Sequence, residues 1–510
     1  MIINFVMKQS HKVKNLISRR LQTEKGNLFR QGGPRIAMLY PSPYRAGMSS
    51  LGYQWIIEIL QTAGFSVERV FLPDNIEDWK NSKTPLISYE TQTPLSHFPV
   101  IGVSLAYELE LGGLIQCLQG SGIPIKREER SIHDPKIILG GPITFSNPLP
   151  TSPFVDAILL GEVEDIVVSV FKCAIEFSNS AWKEAIAKMP GVFIPETMKD
   201  LPAIAKASDT LLPARSHIIS PEAELKNMFL IEGERGCHRS CTFCVMRRST
   251  NGGMRLVTPE RILSFVPDHA ERVGLVGAAI SDHPKLPSLL AKLVESGREI
   301  GVSSLRADRV ARKPDIARLL RMGGYKTLTV ASDAPSQRLR KEISKGTLEK
   351  HIIDCARQAA EHKYRILKVY MMLGLPDENT EDIQELIKFT LELAKIHPVA
   401  LGVAPFVPKK NTPLDSAPFA GIKKVDHHIK ILRKGLKVSK GRAEVRPTSS
   451  KWAWVEYMLA QGGPETGLAT LEAVENGGSF ASWKRALRKL DSKQMSPWRR
   501  SLNLVIGNNP

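Results

Sequence analysis

The stretch 228-MFLIEGERGCHRSCTFC-244 joins a short apolar run to three closely spaced cysteines, and the interpretation of the chain starts from it. Cys237, Cys241 and Cys244 stand four and three residues apart, on what we expect to be the loop after a strand. Thiolates are soft ligands suited to zinc or to iron–sulfur clusters. A structural zinc site normally takes four ligands from two separated pairs, and no second CxxC occurs in the chain.

Three thiolates leave one iron of a four-iron cluster without a protein ligand and open to a small molecule. The triplet therefore favours a reactive, open cluster. His238 lies inside the triplet, but its adjacency to Cys237 would strain a shared tetrahedral zinc site. Zinc with a remote fourth ligand and a set of unligated cysteines remain as alternatives.

Downstream of the cysteines, apolar strand-like runs alternate with helix-like stretches. Counting the run before the cysteines, the predicted strands are 228–232, 274–279, 300–303, 327–331, 367–372 and 399–404. The predicted helices between them are 259–266, 286–297, 348–362 and 380–395. Such a series predicts a partial or complete α/β barrel of TIM type, with its active site at the carboxyl ends of the strands.

Upstream of the cysteines, a separate β–α series covers 34–170. Its predicted strands are 36–40, 66–72, 100–105, 136–139 and 155–160. Near-continuous apolar strands are typical of a parallel sheet covered on both faces, so we expect an α/β domain of Rossmann-like (flavodoxin-like) type. Ligands of such sheets bind beyond the carboxyl ends of the strands.

The remaining segments complete a five-part organisation. Residues 1–33 are predicted to be a basic N-terminal extension, and 171–224 a linker marked by prolines. The barrel occupies 225–420, and 421–510 is a basic and mostly helical region.

The bulk composition is that of a globular protein: 510 residues, 42% hydrophobic, 24% charged and a formal net charge of +18. No apolar run reaches the roughly 18–20 residues of a membrane span, and no secretory signal opens the chain, so we expect a cytoplasmic protein. Six cysteines in so long a chain do not make a disulfide framework. The basic ends are most simply solvated helix faces, and RNA as an anionic partner is the weaker interpretation.

The spacing CxxxCxxC after the first strand of an α/β barrel resembles the radical S-adenosylmethionine (SAM) superfamily. Cys237, Cys241 and Cys244 match its three cluster ligands, and Phe243 matches the aromatic residue before the last cysteine. The resemblance implies a [4Fe–4S] cluster whose open iron binds the amino and carboxylate groups of SAM. An electron from the cluster cleaves SAM to methionine and a 5′-deoxyadenosyl radical, and flavodoxin or ferredoxin is the implied electron donor.

Two later segments resemble SAM-binding motifs of the same superfamily. The run 370-YMMLGLPDE-378 is similar to the fifth-strand motif that supports the adenine, which implies roles for Gly374 and Pro376. In the fourth-strand segment, Asp333 and Arg338 match polar residues that contact the ribose and carboxylate of SAM.

The second strand of the barrel series departs from the superfamily pattern. It lacks the Gly-Gly-Glu that often binds the amino group of SAM, and Gly277 and Ser281 occupy that neighbourhood instead. Both are taken as SAM-binding candidates, but the contact to the amino group stays unassigned.

The N-terminal sheet resembles the cobalamin-binding domain of one radical SAM subgroup. The motif that supplies an axial histidine to cobalt is absent, since the matching loop reads 44-YRAGMSSLG-52. A sheet docked to the barrel without a cofactor is the alternative. The residues matched to cobalamin binding are Pro43, Ser104, Gly140, Gly141, Pro142, Gly161 and Glu162.

Together the resemblances imply a cobalamin-dependent radical SAM enzyme, most simply a C-methyltransferase or a related rearranging or ring-forming enzyme, with an unknown substrate. Methylthiotransferases carry three further cysteines upstream, whereas this chain has only Cys117 and Cys173 there, so methylthiolation is rejected. A radical SAM enzyme that modifies RNA and a non-catalytic regulator that binds a corrinoid or a metal remain open. No catalytic residue beyond the cluster ligands is assigned.

Overall fold

Apolar runs form the strands of this α/β chain, and helices between them cover the sheets. The structure is a computed structural model that describes residues 2–26, 29–178, 180–246 and 253–490, with side chains described from residue 11 onward. The chain divides into two units. The first holds Met1–Phe229 and Met458–Pro510, and the second holds Leu230–Tyr457.

The first unit contains a six-stranded sheet with the order β2-β1-β3-β4-β5-β6. Strands β1 to β5 are parallel, and β6 pairs with β5 in the antiparallel sense. The order of the five parallel strands is a common one among doubly wound α/β sheets. The strands are β1 (Arg35–Pro43), β2 (Ser66–Leu72), β3 (Val100–Ser104), β4 (Lys136–Gly140), β5 (Ala157–Leu159) and β6 (Val192–Phe193).

Two features of this sheet differ from the sequence prediction. Strand β1 continues to Pro43, with an irregularity in its pairing with β2 beyond Tyr40. Strand β6 and a bridge between Gly161 and Ala205 tie the predicted linker into the first unit. The helices up to this point are α1 (Ile2–Thr23), α2 (Tyr44–Gly47), α3 (Leu51–Thr62), α4 (Ile76–Ser82), α5 (Glu110–Gly120), α6 (Val167–Glu176) and α7 (Ala181–Ile186).

The second unit contains two sheets, β11-β10-β7 and β12-β13-β14-β15-β16, and a hairpin of β8 and β9. Strands β10 and β11 are parallel, as are β12 to β16. All six predicted strands are present. The strands are β7 (Met228–Glu232), β8 (Glu234–Gly236), β9 (Met254–Leu256), β10 (Arg272–Val276), β11 (Glu299–Val302), β12 (Leu305–Arg306), β13 (Thr327–Asp333), β14 (Ile366–Leu373), β15 (Val399–Pro405) and β16 (Ala443–Pro447).

Within the described ranges the strands of the second unit form two sheets and the separate β8–β9 hairpin, whereas the sequence predicts one partial or complete barrel. At the end of β11, the Tyr325 hydroxyl bonds both the N–H and the carbonyl of Val302, so these groups do not pair with a next strand. The helices are α8 (Pro259–Ser264), α9 (Leu286–Glu295), α10 (Ala307–Arg312), α11 (Asp315–Met322), α12 (Gln337–Glu342), α13 (Glu349–Glu361), α14 (Thr380–Ile396), α15 (Ile422–Leu436) and α16 (Ser450–Gln461).

The predicted C-terminal region 421–510 is shared between the units and contains strand β16. From residue 458 onward it belongs to the first unit, where α17 (Pro464–Glu475) and α18 (Phe480–Arg488) follow. Asn147 ties this segment to the rest of the first unit, because its amide donates to the carbonyls of Leu459, Ala460 and Gly462. Among the described residues, no helix has both the length and the apolarity that crossing a bilayer requires.

Candidate functional site

The cysteine loop begins directly after β8 and is fixed by backbone contacts. Gly236, the last residue of the strand, has a φ of 88°, a conformation that favours glycine. Thr242 donates its N–H to the carbonyl of Ile343 at 3.1 Å. The Cys241 Sγ lies 3.8 Å from the Ser344 carbonyl oxygen. The loop therefore rests on the turn that follows α12.

An arginine inside the loop is held by a buried carboxylate. Arg239 forms two bonds with Asp282, at 2.7 and 2.8 Å, and the Asp282 side chain is fully buried. Burial alone would raise the pKa of Asp282, but the guanidinium groups of Arg239, Arg309 and Arg306 outweigh it and hold the pKa at about 2. This brace was missed in the sequence analysis. The only feature of the sequence that pointed to it is the position of Asp282 shortly after a predicted strand.

The three thiols are half-buried and act on one another electrostatically. Burial raises the pKa of Cys237, and an N–H bond from Arg239 opposes the rise. Burial also raises the pKa of Cys244, where one opposing influence is the Lys345 ammonium. Lys345 is buried and forms an ion pair with Asp333. A cation therefore lies near Cys244, held by a predicted site residue.

The predicted residues Phe243, Gly374 and Pro376 belong to one neighbourhood. Phe243 packs against an apolar cluster that includes Leu375, which stands between the other two. Gly374 has a φ of 87°, and its N–H donates to the buried Glu378 carboxylate at 2.8 Å. The remaining members of the apolar cluster are Ala334, Leu339, Ile343 and Phe406.

Glu378 closes the loop after β14. Its carboxylate accepts from the N–H groups of Gly374 and Leu375 and lies 2.7 Å from the Nδ1 of His428. Burial raises the pKa of Glu378, while these N–H groups and His428 oppose the rise. The acid of this motif thus supports the backbone of the loop.

Two predicted SAM-binding residues are committed to other contacts. The buried Ser281 hydroxyl accepts from the N–H of Arg306 at 3.1 Å. The Arg338 side chain is 43% exposed and pairs with Asp382 at 2.6 Å and with Glu342 at 2.8 Å. The Arg338 guanidinium is thus paired with two carboxylates, whereas the Ser281 hydroxyl still has its proton to donate, and the SAM-binding roles of both stay predictions.

Glu234, on β8, lies beside Gly277 and was missed in the sequence analysis. Its Oε1 accepts from the N–H of Ala279 at 2.6 Å, whereas the buried Oε2 has no partner among the described residues. Burial raises the pKa of Glu234 to about 7, the N–H of Ala279 opposes this, and the charges of Glu232 and Asp282 add to it.

The glycines at the strand ends of the first unit are packed against the chain itself. Gly141 has a φ of 105°, and a Cβ there would lie 2.6 Å from the Leu105 carbonyl oxygen. Gly161 has a φ of 91°, and a Cβ there would lie 2.6 Å from the Ala205 carbonyl oxygen. Backbone conformation and backbone contact therefore explain both glycines without a ligand.

The other residues matched to cobalamin have mixed surroundings. The buried Glu162 accepts from the N–H of Ala207 at 3.0 Å. Gly140 is paired in register with Ser104, and a Cβ on Gly140 would have no atom closer than 3.8 Å. Pro43 is half-buried and Pro142 is exposed. Of these residues, Gly140 has open space where a side chain would lie, so cobalamin binding at this edge stays a prediction.

The cysteine loop, in contrast, fits an iron–sulfur cluster. In the part of the chain that the structure describes, no three His, Cys, Asp or Glu side chains converge as ligands of one metal ion. A four-iron cluster does not need such convergence, because each thiolate binds a different iron. Three half-buried thiols on one loop, which bind iron as thiolates after losing their protons, are a suitable donor set.

Comparisons with known proteins identify two matched families. The radical SAM N-terminal family matches residues 52–195, and the radical SAM superfamily matches residues 231–390. An uncharacterised protein of Methanocaldococcus jannaschii is 26% identical over 421 residues, which cover 79% of this chain and 84% of that protein.

Three solved structures are similar in part. The cobalamin-dependent SAM radical enzyme OxsB, with aqua-cobalamin and SAM bound, is 14% identical with a TM-score of 0.49, covering 80% of this chain and 56% of OxsB. Streptococcus suis SuiB with SAM is 16% identical with a TM-score of 0.33, covering 45% of this chain and 52% of SuiB. Escherichia coli coproporphyrinogen III oxidase is 15% identical with a TM-score of 0.31, covering 42% and 52%. The chain thus spans only about half of each matched structure.

Both matched family models describe radical SAM proteins, and together they cover more than half of the chain. The match to the radical SAM superfamily covers the cysteine loop, both Glu234 and Gly277, and the loop after β14. This chain belongs to the radical SAM superfamily.

Proposed function

We propose that the second unit binds a [4Fe–4S] cluster through Cys237, Cys241 and Cys244, and SAM beside it. When bound, such a cluster supplies the electron that cleaves SAM to methionine and a 5′-deoxyadenosyl radical, which abstracts hydrogen from a substrate carbon. The observation that carries this proposal is the loop of three half-buried thiols directly after β8, which the Arg239–Asp282 ion pair holds in place.

The chain's own residues position SAM in this proposal. Lys345, near Cys244, is the cation that binds the SAM carboxylate, and Asp333 fixes the ammonium by its ion pair. Lys345 is preferred to Arg338 because Lys345 is buried and has one carboxylate partner, whereas the Arg338 side chain is 43% exposed and pairs with both Asp382 and Glu342. The loop at Gly374, held by Glu378, offers backbone groups to the adenine.

Anaerobic reconstitution tests the proposal. We expect about four irons and four sulfides per chain and formation of 5′-deoxyadenosine when the reduced protein meets SAM. Cys241→Ala should lose both the cluster and SAM cleavage. Cys173→Ala is the matched control, because Cys173 is a half-buried thiol in α6 of the first unit and should leave both unchanged. Full SAM cleavage by the Cys241→Ala protein would refute the proposal.

Cobalamin-dependent C-methylation is the more specific candidate. The doubly wound strand order and the open edge at Ser104 and Gly140 favour it. Gly141 and Gly161 lend it no support, because their packing against backbone explains both glycines without a cofactor. Corrinoid analysis of protein produced with cobalamin available decides the matter: a stoichiometric corrinoid supports methylation, and its absence removes this candidate while the radical chemistry stands.

A further inference from the structure

Glu234 is a buried carboxylate with one oxygen left over. The residue is 1% exposed, and its Oε1 accepts from the N–H of Ala279 while Oε2 has no partner among the described residues. A buried polar atom without a hydrogen bond costs about 1–3 kcal/mol, and such groups in native proteins call for a functional explanation.

Two other buried carboxylates of the second unit use both of their oxygens. Glu378 accepts through both oxygens, and Asp282 bonds arginines through both. Capping the N–H of Ala279 requires only one oxygen, so a purely structural role does not explain the second oxygen of Glu234.

The chain also keeps a side chain away from this carboxylate. A Cβ on Gly277 would lie 2.3 Å from the Oε1 of Glu234, and the φ of Gly277 is not in the left-handed region. Glycine is therefore needed at this position because a side chain would collide with the carboxylate, and not because the backbone adopts a left-handed turn. The result is a carboxylate from β8 at the carboxyl end of β10.

Charges of opposite sign flank the cysteine loop. Glu234 stands three residues before Cys237, and Lys345 directly follows Ser344, whose carbonyl oxygen lies 3.8 Å from the Cys241 Sγ. A ligand that carries an ammonium and a carboxylate on one carbon complements this arrangement. An α-amino acid group has that chemistry.

We propose that the Oε2 of Glu234 accepts a hydrogen bond from the α-ammonium group of SAM bound beside the cysteine loop. The inference rests on the proposed function, which names SAM as the ligand. It assigns the amino contact to a residue upstream of the cysteines, on β8, whereas Gly277 and Ser281 follow β10. Ammonium and carboxylate then form a buried, charge-assisted pair.

Equilibrium binding to the anaerobic, cluster-loaded protein tests the inference. The two ligands are SAM and a SAM analogue that lacks the α-amino group. Glu234→Gln should weaken SAM binding at least about tenfold and change binding of the analogue less than about twofold. The matched control is Glu232→Gln, because the Glu232 carboxylate is already paired with Arg235 at 2.7 Å, and it should bind both ligands like the wild type.

The outcomes separate the two proposals. Wild-type protein that loads a cluster but does not bind SAM overturns the proposed function and this inference with it. Wild-type protein that binds SAM while Glu234→Gln binds it equally well overturns the inference alone. Equal weakening of SAM and the analogue by Glu234→Gln also overturns it, because a disturbed fold would affect both ligands. Iron content and thermal unfolding identify a misfolded variant, for which Glu234→Asp takes the place of Glu234→Gln.

Discussion

Gly161 in the first unit and Gly277 in the second both follow a strand of a parallel sheet, yet their surroundings differ. Beside Gly161 lies a backbone carbonyl of the same chain, that of Ala205. Beside Gly277 lies the carboxylate of Glu234, one oxygen of which has no partner among the residues that the structure describes. The first glycine allows two backbone segments to meet, and the second leaves space at a polar group.

The comparison limits what a glycine at a strand end can indicate. Such a glycine predicts a close approach, but the approaching group can be the chain or a ligand. In the first unit the chain approaches Gly141 and Gly161. In the second unit the strand ends carry ionisable side chains near the cysteine loop, and there a ligand is the better interpretation.

Alanine at each glycine gives the largest contrast. Gly161→Ala should lower the free energy of unfolding by about 3 kcal/mol, since it adds a left-handed strain to an overlap with backbone. Gly277→Ala should lower it by only about 1 kcal/mol, because the Glu234 side chain can move. Chemical denaturation of both variants measures the difference.

The same pair separates stability from binding. Gly277→Ala displaces the Glu234 carboxylate and should weaken SAM binding, whereas Gly161→Ala should leave the affinity of the folded protein unchanged. Equal losses of stability in the two variants would contradict the distinction between a backbone neighbour and a movable side chain.

The titration of Glu234 provides the second test. Its pKa of about 7 in the folded chain exceeds its ordinary value of 4.5, so the unfolded chain releases this proton at lower pH. Wild-type stability therefore falls as pH rises from about 4.5 to 7, by at most about 3 kcal/mol from this group. The charges of Glu232 and Asp282 and the N–H of Ala279 face this carboxyl.

Glu234→Gln removes that titration. The amide can also change the free energy of unfolding by an amount that does not vary with pH. The difference between variant and wild type is therefore measured at pH 5 and at pH 8, on the iron-free protein, and the two differences are compared. Relative to the wild type, the variant should gain about 2 kcal/mol of stability over this range. A stability difference that does not change with pH would show that Glu234 is ionised at pH 5 in the folded chain.

Lys345 gives a third, smaller effect, on binding. Removal of its ammonium by Lys345→Met should weaken SAM binding roughly tenfold, about 1.4 kcal/mol, because a charge-assisted bond to the SAM carboxylate is lost. The SAM amide, which carries no carboxylate charge, should bind both proteins alike. If Lys345→Met weakens both ligands equally, the residue only supports the loop through Asp333.

The sequence predicted the strands well because burial leaves a local signal. The runs at β2 and β7 are buried over almost their whole length and were located with the correct bounds. The cysteine loop was identified because its three ligands lie within eight residues. Strand β16 was missed, since its alternation of buried and exposed residues lies in a basic region predicted to be helical.

Contacts between residues that are far apart in the sequence could not be predicted from such local patterns. Asp282 pairs with Arg239, which is 43 residues away in the sequence, and Lys345 pairs with Asp333, from which a helix separates it. The Oε2 of Glu234 lacks a partner among the described residues because no polar group of theirs lies within bonding distance, and residue spacing cannot predict such an absence. Residues 247–252 and 491–510, which include part of the predicted basic C-terminal region, lie outside the described residues.

Arg338 provides the smallest expected effect and the sharpest check on motif-based assignment. The Arg338 side chain is 43% exposed and bound to Asp382 and Glu342, so Arg338→Ala should leave stability almost unchanged and change SAM affinity by less than about twofold. The measurement is the binding assay used for Lys345→Met, which serves as the positive comparison. A tenfold loss of SAM affinity in Arg338→Ala, with Lys345→Met unaffected, would return the carboxylate contact to the residue that the motif predicts. It would also mean that the ion pair with Asp382 opens when SAM binds.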